Sequence, residues 1–287
     1  MNAVIEDIGL KKGEKSLHFF VREESSYKPY WHYHPEIELT YIQRGRGTRF
    51  VGDSIMPYYE GDLVLIGANL PHHWVSNDHE STNGQRAIVI QFPLAFFVHF
   101  PECGDLVKYL SNANRGYHFA NPSISVVAQL LEFETLPAIE RIGALIHLIN
   151  ELQASDCEFS QLASETFSYN TENANDLTKI SKTNTYILEN LHKRLTVEHM
   201  ADFTKMVPQS FCRWFKKSTG HSFVTFLNKS RIENVCLQLL CSDLPIHQIA
   251  FDNGFESLGH FNRTFKNLKG TSPHLYRKLT SPNSRVL

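Results

Sequence analysis

Two stretches near the carboxyl end of the chain place polar side chains on one face of a predicted helix, where they could read DNA bases. Gln, Asn and Arg hydrogen-bond base edges in the major groove, and Lys contacts backbone phosphates. The stripes occupy helix positions i, i+3, i+4 and i+7. A single polar stripe would indicate a solvated face, but two equivalent stripes favour contact with DNA. They consist of Gln209, Cys212, Arg213 and Lys216 in the first stretch, and of Gly259, Asn262, Arg263 and Lys266 in the second.

The two stretches belong to a repeated pattern. Residues 195–220 and 244–270 share the same order of apolar, polar and glycine positions, with one residue inserted in the turn. Paired phenylalanines, Phe211 and Phe215 in one copy and Phe261 and Phe265 in the other, predict the buried face of each second helix. The pattern predicts two helix-turn-helix units. We expect their DNA contacts to come from Pro208, Gln209, Cys212, Arg213, Lys216, Lys217, Ser257, Gly259, His260, Asn262, Arg263 and Lys266.

At these residues the chain resembles the AraC/XylS family of bacterial transcription regulators. The resemblance runs over residues 177–279 and includes RIENVCLQLL, IAFDNGF, FNRTFK and GTSPHLYR. It implies a sequence-specific regulator whose two recognition helices lie about one DNA turn apart, ~34 Å, in successive major grooves. Double-stranded DNA is the implied partner, and RNA polymerase is a further candidate. One departure is that Val207 precedes Pro208 where the family usually has Ser or Thr, so a side-chain N-cap is missing.

A second group of residues with chemical potential lies in the amino-terminal half. His32, His34 and Glu38 have the spacing HxHxxxE, and His72 follows the glycine-flanked run GDLVLIG. Side chains alternate along a strand, which predicts that the first three residues share one face. Three imidazoles and a carboxylate could hold a divalent transition metal. These residues resemble the two metal motifs of the cupin domains that precede the DNA-binding half in many AraC/XylS members.

Three interpretations of this group remain open at the level of sequence. We favour a pocket for a small-molecule effector, formed by His32, His34, Glu38, His72 and the neighbouring Trp74. Carbohydrates are a frequent effector class in the family. The first alternative is a metal site on the two motifs, although the sensory cupins of the family mostly lack metal, so no cofactor is predicted. The second is that the polar face is simply the wet side of a half-buried strand.

The elements that must position both groups are of two kinds. Residues 1 to about 100 contain short aromatic and β-branched runs between Gly, Pro, Asn and Asp turns, which predict a small antiparallel barrel. The carboxyl half follows the period of helices. We therefore predict an α+β chain with a cupin-like antiparallel β-barrel at 1–122 and a helical dimerisation segment at 123–162. The predicted chain continues with a linker at 163–176 and ends with an all-helical domain at 177–287 that contains two helix-turn-helix units.

The dimer prediction rests on the helix at residues 138–153. Its apolar residues recur at helical spacing over four turns, and in regulators of this kind helices at this position form the contact between two copies. The alternative is that the helix only covers the barrel. The stripe consists of Ile139, Ile142, Leu145, Ile146, Ile149 and Leu152.

Charge and cysteine content agree with this division of the chain. Residues 177–287 hold 16 Lys and Arg against 7 Asp and Glu, a balance of +9, and residues 1–176 carry the opposite balance of −11. A basic half suits a polyanion such as DNA, which repels the acidic half. The five cysteines form no CxxC pair, which indicates reduced thiols, and no signal peptide or membrane span is recognisable. We expect a cytoplasmic protein without contact to a membrane.

These observations predict a transcription regulator, not an enzyme, that forms a homodimer and responds to a small molecule. Neither a Ser/His/Asp triad nor a phosphate-binding glycine loop is recognisable. The rival hypothesis is a metal-dependent cupin enzyme that its DNA-binding half merely localises.

Overall fold

Short strands form the amino-terminal half because apolar runs are interrupted by turn residues every few positions. The structure, a computed structural model, describes residues 15–76, 84–154, 159–167 and 174–280. The strands come first along the chain and an all-helical half follows, which confirms the predicted α+β class. Within the described residues the strands are β1 (His18–Glu24), β2 (Ile37–Arg44), β3 (Gly47–Val51), β4 (Ser54–Tyr58), β5 (Leu63–Ile66), β6 (His72–Val75), β7 (Gln85–Phe92), β8 (Tyr117–Phe119) and β9 (Phe159–Gln161).

The strands form two antiparallel sheets. One sheet has the order β1-β7-β2-β5-β8-β9, and the other has the order β4-β3-β6. In the first sheet Glu38 of β2 lies opposite Gln91 of β7. A single bridge pairs His32 with His72, the first residue of β6. This bridge brings the two predicted motifs together although they lie far apart in the sequence.

Four helices cover the outer face of the larger sheet, which explains why β2 is buried on both sides. Leu39 and Tyr41 pack with these helices, whereas Thr40 and Ile42 face the smaller sheet. Burial on both sides replaces the apolar/polar alternation of a solvated strand with a continuous apolar run. The helices are α1 (Ala95–Val98), α2 (Gly104–Ser111), α3 (Ile124–Glu132) and α4 (Ala138–Ala154), with short 3-10 helices at Pro101–Cys103 and Asn112–Arg115.

The apolar stripe of α4 packs against the chain's own sheet, contrary to the expectation that it would meet a partner helix. Leu145, Ile149 and Leu152 are buried in the core that the helices share with β2, β5 and β7. The periodicity indicated correctly that one face of α4 is covered, but it could not indicate what covers it. Ile139 at the start of the helix is 74% exposed, and Ile124 at the start of α3 is 90% exposed.

Two predicted segment boundaries also differ from the structure. The segment 123–162 is not helical throughout, because β9 near its end pairs with β8. In the predicted linker, Ala163 is buried, Ser164 N donates to Asp53 Oδ1 at 2.8 Å, and residues from 174 onward are helical. The polar composition of residues 163–176 concealed this packing. The remaining linker residues, 168–173, lie outside the described part of the chain.

The carboxyl half consists of helices that pack through two separate apolar clusters. The first cluster contains Phe211 and Phe215, and the second contains Phe261 and Phe265. Both clusters include side chains of one long helix, α8, which passes between the two units. The helices are α5 (Ala174–Glu189), α6 (Val197–Thr204), α7 (Pro208–Thr219), α8 (Phe223–Cys241), α9 (Ile246–Asp252), α10 (Leu258–Lys269) and α11 (Pro273–Thr280).

Candidate DNA interface and ligand pocket

Helix α7 carries the first predicted DNA-reading stripe. Phe211 and Phe215 are fully buried, and this fixes which way the opposite face points. The helix begins at Pro208, and Val207 before it makes no side-chain cap, as its sequence predicts. Every predicted contact residue of this helix is exposed: Pro208, Gln209, Cys212, Arg213, Lys216 and Lys217.

Helix α10 repeats this arrangement with a better-defined start. Ser257 caps the helix, since its hydroxyl accepts a hydrogen bond from the backbone N–H of His260 at 3.3 Å. Phe261 and Phe265 are fully buried, so the stripe again faces outward. The exposed residues are Ser257, Gly259, His260, Asn262, Arg263 and Lys266.

The two turns before these helices differ, as the inserted residue in the repeat predicts. In the first unit Lys205 ends α6 with a positive φ of 55°, and α7 begins at Pro208. In the second unit Gly254 takes φ 77°, and a Cβ at this position would lie 2.4 Å from the carbonyl oxygen of Leu191. Only glycine fits so close to another backbone. The turn of the second unit is thus packed tightly against the segment between α5 and α6, just before the first unit.

The two arginines of the stripes are available for contact with DNA. Arg213 and Arg263 are exposed, and within the described residues neither forms a salt bridge. Glu256, a potential partner of Arg263, instead pairs with Arg194 at 3.1 Å. Binding to DNA therefore does not require either arginine to leave a carboxylate.

In the amino-terminal half, His32, His34, Glu38 and His72 come together in one buried cluster. One ligand atom from each residue lies within 4.8 Å of the others. Glu38 Oε2 is 3.1 Å from His34 Nε2 and 3.6 Å from His72 Nε2. The interpretation as the wet side of a strand is wrong, because all four side chains are buried. The expected single strand is also wrong, because β2 begins only at Ile37, after Pro35, which offers no backbone N–H.

Backbone carbonyls orient the three imidazoles of this cluster. Nδ1 of His32 lies 2.7 Å from Tyr30 O, Nδ1 of His34 lies 3.0 Å from Glu36 O, and Nδ1 of His72 lies 2.7 Å from Leu70 O. A carbonyl oxygen can only accept, so a neutral ring of His32 or His72 must carry its proton on Nδ1. The Nε2 atom of such a ring presents a lone pair, as a metal-binding histidine does. His34 differs, because its Nε2 lies 3.1 Å from the carboxylate oxygen Glu38 Oε2, which also accepts.

Burial and mutual proximity set the charge states of the cluster. Desolvation, reinforced by the neighbouring His72, holds the pKa of His32 well below its usual range. Burial alone would raise the pKa of Glu38, but His72 and His34 beside it hold that pKa well below the ordinary carboxyl value. A neutral imidazole at His32 and an ionised carboxylate at Glu38 are protonation states that metal binding requires.

The donor set fits a divalent transition metal. His72 Nε2 is buried without a hydrogen-bond partner, which is costly unless something binds it. Imidazole nitrogens suit Fe, Ni, Zn or Cu better than Mg or Ca. The carboxylate is held as well: Thr40 donates to Glu38 Oε1 at 2.6 Å, and Gln91 Nε2 donates to Oε2 at 2.9 Å.

A cavity of about 350 Å³ lies between the two sheets and reaches this cluster. Of the predicted ligand-binding residues, His32, Glu38 and Trp74 line it, while His34 and His72 contact Glu38. Trp74 is part of the cavity wall, and its side chain is buried. The other lining residues are Phe20, Arg22, Glu24, Tyr27, Tyr30, Thr40, Ile42, Ala87, Val89 and Gln91.

Comparison with known proteins agrees with both halves. Residues 200–279 match the Helix-turn-helix domain family, and residues 19–83 match the Cupin domain family. The multiple antibiotic resistance protein MarA of Salmonella typhimurium is 34% identical over 92 residues, which are 32% of this chain and 72% of MarA. The chain belongs to the AraC family.

Other relatives of this AraC-family chain share its carboxyl half. An uncharacterized HTH-type transcriptional regulator of Staphylococcus aureus is 33% identical over 99 residues, which are 34% of this chain but only 13% of that protein. The solved C-terminal domain of AraT, a response regulator from Geobacillus stearothermophilus, is 33% identical with a TM-score of 0.35. That likeness covers 36% of this chain and 86% of the AraT domain.

The matched segments contain all the predicted site residues of this AraC-family chain. Sequence analysis missed Gln91, which binds Glu38, although the alternation Ala87, Val89, Gln91 along β7 predicts that the three share a face. It also missed Tyr27 and Tyr30, which lie outside regular strands and gave no periodic signal. None of the helices in the described part of the chain is both long enough and apolar enough to cross a membrane.

Proposed function

We propose that this AraC-family chain binds double-stranded DNA and regulates transcription through two recognition helices, α7 and α10. The observation that carries the proposal is the repeated, exposed stripe of Gln, Asn, Arg and Lys on two equivalent helices. Each helix is fixed by a buried phenylalanine pair, so both stripes face outward in a defined direction. An α-helix fits the major groove, where these side chains can distinguish base pairs.

Binding-site selection with the purified full chain tests this proposal. Random duplexes are enriched over several rounds, and the salt dependence of binding to the selected sequence is then measured. The proposal predicts a selected site with two conserved parts and a binding constant that falls steeply as salt increases, because lysines displace counterions from phosphates. Enrichment of no sequence over random DNA would contradict it.

We further propose that the cavity between the sheets binds a small organic effector. Its volume of about 350 Å³ lies within the range of small-molecule pockets. Aromatic walls from Trp74, Tyr27 and Phe20 and polar groups from Glu38 and Gln91 suit a compact ligand with a flat or apolar body and oxygen substituents. A thermal-shift screen of such compounds tests the proposal, since binding to the native state alone raises the midpoint of unfolding.

The four-residue cluster supports a metal ion as part of this pocket. His32, His34, Glu38 and His72 would hold the ion, and a bound metal would supply a Lewis acid to an effector's oxygen. His32 and Glu38 line the cavity, so an effector there would lie beside the ion. Metal analysis of the purified protein before and after chelation tests this assignment.

The cluster is also the observation that favours the second candidate function, a metal-dependent cupin enzyme. The relatives that match the carboxyl half include proteins described as transcriptional regulators, which favours the regulator. The two candidates differ in turnover. A metal-loaded regulator binds its effector and releases it unchanged, whereas an enzyme converts it, and mass spectrometry of the incubated compound distinguishes them.

We also infer that two copies associate through α3 and α4, by a contact surface that differs from the one predicted from the sequence. Most of the stripe first assigned to this contact packs within the chain, but its first residue, Ile139, and Ile124 of α3 are largely exposed. Large apolar side chains gain by leaving water when a second copy covers them. Contact with RNA polymerase stays a prediction that follows from family membership.

A further inference from the structure

Two aromatic side chains of the amino-terminal half are buried in the core of the first helix-turn-helix unit. Trp31 and Phe50 belong to the apolar cluster that contains Phe211 and Phe215 of α7. The rings of Phe50 and of Phe226, near the start of α8, lie 6.0 Å apart. The first unit is therefore docked on the amino-terminal half, which supplies part of its core.

The end of α7 makes a close polar contact with the turn between β3 and β4. His221 Nε2 donates to the backbone oxygen of Asp53 at 2.6 Å. A Cβ at Gly220, where φ is 75°, would lie 2.6 Å from the Cβ of Asp53. Glycine at this position allows both the left-handed helix end and the close approach of the turn. Apolar and polar contacts together define the docked arrangement.

The aromatic part of this interface lies on the reverse side of the metal cluster. His32 and His72, two of the cluster residues, exchange backbone hydrogen bonds of 3.2 and 2.9 Å. Trp31 precedes the first and His73 follows the second, so alternation of side chains places both on the opposite side. Their rings lie 5.2 Å apart, and the ring of His73 lies 4.5 Å from that of Phe50. One backbone bridge thus carries cluster residues on one side and interface residues on the other.

The interface also buries polar atoms that lack hydrogen bonds. Within the described residues, Trp31 Nε1 and His73 Nδ1 are both buried without a hydrogen-bond partner. Such burial is costly, because the same atoms bond water when they are exposed. Separation of the two halves would return both atoms to water. The contact is therefore weaker than a purely apolar contact of the same size, which favours an interface that can open.

We propose that metal binding at the cluster stabilises the docked arrangement of the first unit. The inference rests on the proposed metal site. An ion bound to both His32 and His72 ties the two segments of the bridge together, in addition to their backbone hydrogen bonds. Because Trp31 and His73 lie on the same two segments, the surface that they and Phe50 present to the first unit is fixed as well. Docking must then strengthen metal binding by the same factor, since coupling between two equilibria is reciprocal.

Hydrogen-exchange mass spectrometry of the full chain, with and without Ni²⁺, tests the proposal. Peptides that cover residues 211–227 report on the docked contact. Peptides that cover residues 249–265 are the internal reference, because the apolar cluster of the second unit, as far as the chain is described, consists of side chains from the carboxyl half. In the wild type, Ni²⁺ should slow exchange in the first segment about 5-fold or more and leave the reference unchanged.

Two variants separate the coupling from the docking itself. Phe50→Ala removes the ring between His73 and Phe226 and leaves all four cluster residues in place, and thermal melting checks that it is folded. It should still bind one Ni²⁺ per chain, without slower exchange, and more weakly by the same factor by which Ni²⁺ slows exchange in the wild type. A merely structural role would not make these two factors equal. His221→Ala weakens docking from the other side, so exchange should be faster without metal and still be slowed by Ni²⁺.

Met56→Ala is the matched control, because Met56 lies on β4 of the same hairpin and is 47% exposed. It should match the wild type in Ni²⁺ affinity, measured by titration calorimetry, and in exchange. One bound Ni²⁺ per chain with unchanged exchange over residues 211–227, or slowing that persists in Phe50→Ala, would overturn the inference and leave the metal site intact. A wild type that binds no Ni²⁺ would overturn the metal site and the inference together.

Discussion

Replacing Arg213 or Arg263 with alanine should relax base preference at one part of the DNA site and leave the protein folded. Both side chains are exposed and form no salt bridge within the described residues, so their removal exposes no core and leaves no charge unpaired. A well-formed arginine contact to a guanine edge contributes about 1–3 kcal/mol of discrimination. This corresponds to about 5- to 150-fold in the ratio of binding constants for the correct and incorrect base.

The assay is binding-site selection with each variant, followed by titration of single-base substitutions in the selected site. Arg213→Ala should lose preference in one part of the site, and Arg263→Ala in the other. Lys216→Ala serves as the control, because a phosphate contact carries no base information. It should weaken binding to all sequences alike and lower the salt slope by about one. Unchanged base preferences in both arginine variants would refute the claim that either side chain reads bases.

Three further predictions concern the pocket, the dimer and the first recognition helix. The double variant His34→Ala with His72→Ala should lose bound divalent metal and any thermal shift found with an effector, while DNA binding without effector persists; metal retained at full stoichiometry would contradict the assignment. Ile124→Asp with Ile139→Asp should convert a dimer to a monomer in sedimentation, because charge at a buried contact is costly; a monomeric wild type at micromolar concentration would exclude the dimer. Val207→Ser should add an N-cap and raise the unfolding free energy by about 0.5–2 kcal/mol, and an unchanged chemical denaturation midpoint would argue against it.

The repeated helix-turn-helix pattern was predictable from sequence because it depends on short-range spacing. One helical turn separates Phe211 from Phe215, and one turn also separates Phe261 from Phe265. In each helix this spacing alone predicts that the opposite stripe faces solvent. The insertion in the turn was equally visible, and in the structure the turn from α9 to α10 is longer than the turn from α6 to α7. Local periodicity therefore determined this part of the candidate site.

The amino-terminal half depends on contacts that are distant in sequence, and these were less predictable. Composition and motif spacing indicated that His32, His34, Glu38 and His72 belong together, but long-range pairing brings the two motifs into contact, through the bridge between His32 and His72 and the pairing of β2 with β5. The helical period of the apolar residues in α4 predicted that one face of the helix is covered. It could not predict which part of the molecule covers that face. Trp31 is buried against the other half of the chain, a contact that no local pattern in the sequence indicates.

Footprinting of the wild-type full chain on its selected DNA tests the central claim most directly. If α7 and α10 enter successive major grooves, cleavage by hydroxyl radicals should be reduced at two places on the same face of the duplex, about 10–10.5 base pairs apart. Methylation of guanines in both grooves should interfere with binding. One protected groove, or two on opposite faces of the duplex, would contradict the claim that both helices read DNA together.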